Sequence, residues 1–173
     1  MCKQDDSSPI VIKIDQKEVT PLIEEAKINK LLDDRSPYTT KMIYSSEHLQ
    51  DPTITLFDGN GERKVKAKSF LVTPYIGPSL IDLLIKVCDK RNPKPLTLEA
   101  KRYICSQIVT GVSYLHRERR LAHLDLKPDN FVVSKDLHFS LIDFGMSSLI
   151  GVSQTSKDKM TPNYRAPEIT QSN

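Results

Sequence analysis

No apolar run in the sequence approaches the length that crosses a bilayer, and the first nine residues, MCKQDDSSP, carry acids where a secretory leader needs an apolar centre. Neither a spanning helix nor a secretory signal is therefore expected, and Cys2 stands where N-terminal myristoylation needs glycine. Cysteine is scarce: Cys2, Cys88 and Cys105 are odd in number and show no CxxC or Cys/His spacing. That excludes a disulfide framework and a zinc site, and a reducing cytoplasm fits best, with the nucleus as the alternative. Charge of one sign is also missing. Lys and Arg number 25 against 22 Asp and Glu, so the balance points to neither nucleic acid nor a membrane surface as partner. The densest basic cluster, Arg117, Arg119 and Arg120, reads as the solvated end of a helix.

What is present describes a soluble globular chain. Hydrophobic residues make up 38% and charged residues 27% of 173 residues, enough for one ordinary domain or a part of one. Residues 10–14, IVIKI, predict a short buried strand that presents Lys13. From Glu18 to Leu32 the apolar residues Val19, Leu22, Ile23, Ala26, Ile28, Leu31 and Leu32 recur at steps of three and four, an amphipathic helix carrying Glu24 and Glu25. Pro21 is tolerable there only in the first turn. Residues 53–57 and 68–73 predict two strands joined by a turn on DGNG at 58–61. That turn lacks the third glycine of a phosphate loop, where Lys64 stands, and the sixth-position glycine of a calcium loop, where Arg63 stands.

A helix over 79–90 is expected next, then a longer one capped by Thr97 whose residues Ile104, Cys105, Ile108, Val109, Val112 and Leu115 form a wide core-facing stripe. A polar loop, LAHLDLKPDN at 121–130, is followed by strands at 131–133 and 138–142 joined by a turn at Ser134–Leu137. The order of elements is an α+β pattern. Asp125, Lys127 and Asn130 lie in that loop, and Asp143 follows the second strand. Asn130 and Asp143 are hard oxygen ligands suited to Mg²⁺, which takes its remaining oxygens from water and phosphate. Asp125 is placed to accept a proton from a hydroxyl nucleophile, while Lys127 and Lys13 supply charge for phosphates.

These residues resemble the catalytic part of a eukaryotic protein kinase. His123-Leu124-Asp125-Leu126-Lys127-Pro128-Asp129-Asn130 is similar to the kinase catalytic loop, Asp143-Phe144-Gly145 to the metal-binding motif, and Ala166-Pro167-Glu168 to the end of the activation segment. The order is right, with eighteen residues from Asp125 to Asp143 and twenty-five from Asp143 to Glu168. Val11-Ile12-Lys13 resembles the strand of the ATP lysine, with Glu25 rather than Glu24 as its helix partner because Ile28 and Leu32 fit the usual apolar spacing. The resemblance implies a two-lobed kinase fold, with residues 1–76 as part of the small lobe and 77–173 as part of the large one. It also implies Mg²⁺ and ATP, and a protein substrate offering Ser or Thr, since Lys127 follows the aspartate by two and Thr161 would add its hydroxyl. VTPYIGPSL at 72–80 resembles a hinge, with Thr73 as gatekeeper, the Pro74 carbonyl and the Ile76 N–H facing adenine. GPSL and PDNF are similar to the casein kinase one family, YRAPE to other kinase groups.

The sequence departs from the kinase pattern in places. Leu124 replaces the arginine that reads a phosphorylated activation loop, which suggests control by another route. Thr155 and Ser156 are candidate phosphorylation sites or plain loop hydroxyls, and Met160 stands where glycine is common. No glycine-rich loop precedes Lys13, and the chain stops five residues after Glu168, so the fold is expected to be truncated at both ends, with Glu168 left buried and unpaired. Two functions follow: a Ser/Thr kinase domain fragment, or a catalytically inactive kinase-like module that docks onto a kinase or its substrate.

Overall fold

A computed structural model describes residues 9–17, 20–32, 35–49, 52–58, 61–88, 91, 95–152 and 161–170. The chain forms two compact units, Met1–Lys30 with Lys41–Tyr75, and Leu31–Thr40 with Ile76–Asn173.

In the first unit β5 (Ser69–Pro74) is the central strand. It pairs antiparallel with β1 (Ile10–Asp15) on one side and with β2 (Tyr44–Ser45) on the other. Helix α1 (Thr20–Asn29) holds Leu22 and Ala26 buried, as is Leu71 of β5. Pro21 falls in its first turn, where a missing N–H costs no helical bond. The strand expected to be buried is instead an outer one. With a single neighbour among the described residues, β1 leaves Ile10 and Val11 exposed and only half-buries Ile12–Asp15. The helix is shorter than its apolar spacing predicts, and Glu18 and Val19 lie outside the described residues. Leu31 is exposed because the chain passes into the second unit after Lys30.

The predicted hairpin is corrected too. β3 (Thr53–Asp58) pairs with β4 (Gly61–Lys66), from Thr53↔Lys66 to Asp58↔Gly61, and not with residues 68–73, since β5 already has neighbours on both sides. The sequence hid β4 because GERKVK has one apolar residue; Val65 is buried opposite Ile54. Gly59 and Asn60 of the DGNG turn lie outside the described residues.

The second unit opens its helical part with α2 (Leu80–Val87), started by a capping box in which Ser79 and Asp82 satisfy each other's backbone N–H. Helix α3 (Leu98–Glu118) is capped by the Thr97 hydroxyl, which accepts from Ala100 N–H at 3.2 Å. Its predicted stripe is only partly a core face. Leu115 is fully buried beside Gly111 and Tyr114, whereas Ile104, Ile108 and Val112 are half-buried and Cys105 and Val109 exposed. Of the described elements, β8 and β6 pack on the Gly111–Leu115 side, which leaves the opposite side to solvent.

Two small ribbons complete the unit. β6 (Leu121–Ala122) pairs with β9 (Ser148–Leu149), and β7 (Phe131–Val133) with β8 (Phe139–Leu141), all antiparallel. Both strands of the second ribbon are buried throughout. Ser79 bridges Val132 on the open side of β7, and Val133 N–H donates to Pro78 O at 2.9 Å. A four-residue helix, α4 (Pro167–Thr170), carries Glu168. That glutamate is exposed, so the burial cost expected for it does not arise. Thr155, Ser156 and Met160 lie outside the described residues.

Candidate catalytic site

In the first unit Lys13 reaches α1. Its Nζ lies 2.7 Å from Glu25 Oε2, and the Glu25 side chain is only 5% exposed. Glu24, one residue away on the helix, turns outward and bonds the exposed Lys27 at 2.7 Å. A second ion pair, Lys30 with Glu47, ties the end of α1 to the turn after β2. Thr73 and Pro74 lie at the end of β5, paired with Val11 and Ile10, and Tyr75 N–H donates to Pro9 O at 2.8 Å. Ile76 is the first residue of the second unit after that strand.

In the second unit the offsets of two and five in DLKPDN acquire a geometric reason. The backbone at Lys127 is extended (φ −157°, ψ 161°) where it enters the turn at Pro128. Lys127 Nζ lies 2.7 Å from Asp125 Oδ2. Pro128, with its fixed φ, then opens a 3₁₀ turn to Asn130, closed by Asn130 N–H donating to Lys127 O at 3.0 Å. The turn brings the buried Asn130 back, and its Nδ2 donates to Asp125 O at 2.8 Å and to Asp125 Oδ2 at 3.1 Å. Thr161 closes the cluster from the far end of the chain. Its hydroxyl donates to Asp125 Oδ1 at 2.6 Å and accepts from Lys127 Nζ at 2.8 Å.

Burial would raise the pKa of Asp125, but hydrogen bonds from Lys127 and Thr161, with the lysine's charge, outweigh it and hold the carboxyl below the usual aspartate range. Lys127 moves the other way, raised first by its bond to Asp125. Both are ionised at neutral pH.

His123, quoted in the sequence only as a motif member, turns out to be the pivot of this loop. It is 2% exposed, accepts from Asp125 N–H at Nδ1 (3.3 Å) and faces Ile142 O with Nε2 at 3.0 Å. An accepting Nδ1 puts the proton on Nε2, which donates to the Ile142 carbonyl, so the ring is neutral. Burial lowers its pKa in agreement, with the Ile142 bond and the Asp143 and Asp125 charges pulling the opposite way. Phe144 packs on the ring at 5.3 Å, and the Ser147 hydroxyl donates to His123 O at 3.3 Å. A lowered folded-state pKa means that the unfolded chain takes up the proton first. His123 therefore supports the fold fully above its ordinary 6.5 and less as pH falls below it. The expected result is a ring whose NMR titration midpoint lies under 6.5, with unfolding stability dropping over the same range; a midpoint at or above 6.5 would overturn it.

Asp143 lies two residues after the end of β8 and takes a left-handed backbone, φ 62°, as does Leu124 at φ 64°. Such conformations in non-glycine residues are held by their surroundings and gather at functional sites. Gly145 N–H donates to Asp143 Oδ1 at 3.4 Å. Ile142 N–H donates to Asn130 O at 3.0 Å, which ties the residue before Asp143 to Asn130. Among the described residues no group of three His, Cys, Asp or Glu could hold a metal alone. A Mg²⁺ ion binds through one or two protein oxygens and completes its shell with water and phosphate. Asn130, whose amide nitrogen makes both bonds to Asp125, has its oxygen as the end fit for such a cation.

The family model for the protein kinase domain matches residues 2–173. The chain belongs to the protein kinase domain family. The resemblance read from the motifs is borne out, and the mixed α+β architecture agrees with a kinase-like fold. This kinase domain sequence is 34% identical over 107 residues to the carbon catabolite-derepressing protein kinase of Saccharomyces cerevisiae, covering 61% of the chain and 16% of that protein. It is 37% identical over 98 residues to the serine/threonine-protein kinase polo of Drosophila melanogaster, covering 51% of the chain and 17% of that protein. A longer match, 152 residues at 26% identity, joins it to mitogen-activated protein kinase kinase 1c of Physcomitrium patens, covering 87% of the chain and 38% of that protein. The kinase domain thus spans about one sixth of the first two relatives. No helix among the described residues is long and apolar enough to cross a membrane.

Proposed function

We propose that this chain carries the phosphoryl-transfer machinery of a Mg²⁺- and ATP-dependent serine/threonine protein kinase. The observation that carries the reading is the convergence of Lys127, Thr161 and Asn130 on one carboxylate, Asp125, at 2.6–3.1 Å. An ionised, oriented carboxylate can accept the proton of a Ser or Thr hydroxyl as that oxygen attacks the γ-phosphorus and the bond to the β-phosphate oxygen breaks, releasing ADP. Lys127 offers its charge to the migrating phosphoryl group, and Thr161 fixes the carboxylate's rotation. Lys13, oriented by Glu25, is the residue for the ATP phosphates. Thr73, the Pro74 carbonyl and the Ile76 N–H form the adenine-facing stretch. Asn130 and Asp143 would hold Mg²⁺, which when bound draws charge from the phosphate oxygens.

A protein substrate is the implied partner, with no nucleic acid or membrane, in the cytoplasm or nucleus. The test is thermal unfolding of the chain with and without Mg²⁺-ATP. At one hundred times Kd, nucleotide should add about 2.7 kcal/mol to the wild type. Asp143→Asn should lose most of that gain while unfolding cooperatively without nucleotide. A cooperative wild-type transition that ignores Mg²⁺-ATP would overturn the proposal in favour of a docking module without chemistry.

A further inference from the structure

In the second unit the residues that precede β2 in sequence are tied to β8, two residues before Asp143. Leu141 N–H donates to Tyr38 O at 2.8 Å, Thr40 N–H donates to Leu141 O at 3.2 Å, and Thr39 bridges Leu141 in parallel register. Two hydroxyls reinforce this backbone ladder. Ser140 Oγ donates to Pro37 O at 2.7 Å, and Thr40 Oγ1 donates to Leu141 O at 3.2 Å. Thr39, Thr40 and Ser140 are buried, and the Tyr38 ring lies 5.5 Å from that of Tyr114 in α3.

Residues 37–40 therefore act as a third strand on the open edge of β8. A two-stranded ribbon of three-residue strands is marginal by itself, so this third strand decides how firmly β8 is held. What β8 delivers is specific. Immediately after Leu141, Ile142 bonds both Asn130 and His123, and Asp143 follows in its left-handed conformation. A conformation of that kind persists only where its surroundings over-determine it.

We infer that residues 37–40 form a strap that positions Asp143, with Ser140 and Thr40 as positioning residues whose hydroxyls fasten the strap to β8. The inference rests on the reading of Asp143 as a metal-holding residue. The sequence carries the signal only faintly: two threonines and a serine in segments that read as loop and core strand.

Amide hydrogen exchange on the whole chain tests it, comparing wild type with Ser140→Ala and Thr40→Val. Loss of one net hydrogen bond should speed exchange at Leu141 and Ile142 about fivefold in each variant. The amides of Leu83 in α2 and of Cys88 at its C-terminal cap, which bond Ser79 O and Leu84 O, should keep wild-type rates. Ser140→Thr, which retains the hydroxyl, should restore protection. The Mg²⁺ midpoint for stabilisation by ATP should rise by a similar factor in the two deletion variants and return in Ser140→Thr. Uniform acceleration that includes α2 would overturn the inference, leaving the hydroxyls with general stability alone; so would unchanged rates at Ile142, or an unmoved Mg²⁺ midpoint in a wild type that responds to Mg²⁺-ATP. A wild type indifferent to Mg²⁺-ATP would overturn instead the reading of Asp143, and the exchange rates would still decide whether the strap holds β8.

Discussion

Asp125→Asn is expected to lower phosphoryl transfer to a Ser/Thr peptide by about 10²–10⁴-fold in kcat while leaving KM for ATP nearly unchanged. The split follows from where the carboxylate sits. Its described partners are Lys127, Thr161 and Asn130; only Asn130 is also proposed to hold Mg²⁺, through its amide oxygen, and its amide nitrogen is the end that meets Asp125. Asparagine keeps an oxygen for the Thr161 hydroxyl but cannot take a proton, and it removes the charge that raises the pKa of Lys127. Because Lys127 is only 21% exposed, losing its ionic partner should also cost about 1–3 kcal/mol of stability. A variant that keeps wild-type kcat would remove Asp125 from the base role, and one that loses ATP affinity in equal measure would make it a binding residue.

Gly77→Ala should be among the most destabilising single changes in the second unit. A Cβ on Gly77 would lie 2.0 Å from the Val133 carbonyl oxygen and 3.1 Å from its carbon. Both are backbone atoms, so no side-chain rotation relieves the overlap. Next to it, Pro78 O accepts the Val133 N–H and Ser79 bridges Val132, so moving Gly77 away pulls on the pairing of β7 and on the helix cap of α2. An overpacked site of this kind costs about 1–3 kcal/mol, and more where backbone must shift. Chemical denaturation should show a lower midpoint with an unaltered slope. A midpoint within error of the wild type would mean that the segment 76–79 is free to move off β7.

The two changes differ in how much the sequence says about them. Asp125 could be named because its chemistry and its neighbours are local: Lys127 stands two residues on, and a proline-opened turn returns Asn130. Gly77 could not, since nothing in GPSL reveals that a carbonyl from residue 133 occupies the place of its missing side chain. The same division runs through the fold. The cap at Thr97 follows from a rule spanning three residues, and the β7–β8 hairpin from one turn. By contrast, β4 was hidden in a polar stretch, and the exposure of β1 and of Val109 depended on how many neighbours each element has.

What the sequence by itself determined is therefore the set of groups whose relations are short-range, together with the ordered motifs that mark a protein kinase domain. Asp125, Lys127, Asn130 and Asp143 belong to that set, as does the helical phase that favours Glu25 over Glu24. Only the tertiary structure decided the rest: that Thr161 closes on Asp125 across 36 positions, that His123 is buried neutral under Ile142, and that residues 37–40 belong to the second unit and join β8. The physical reason is that periodicity and capping report which face of an element is apolar and where it stops, while partner identity across long loops depends on which edges and cavities remain open once the other elements have packed.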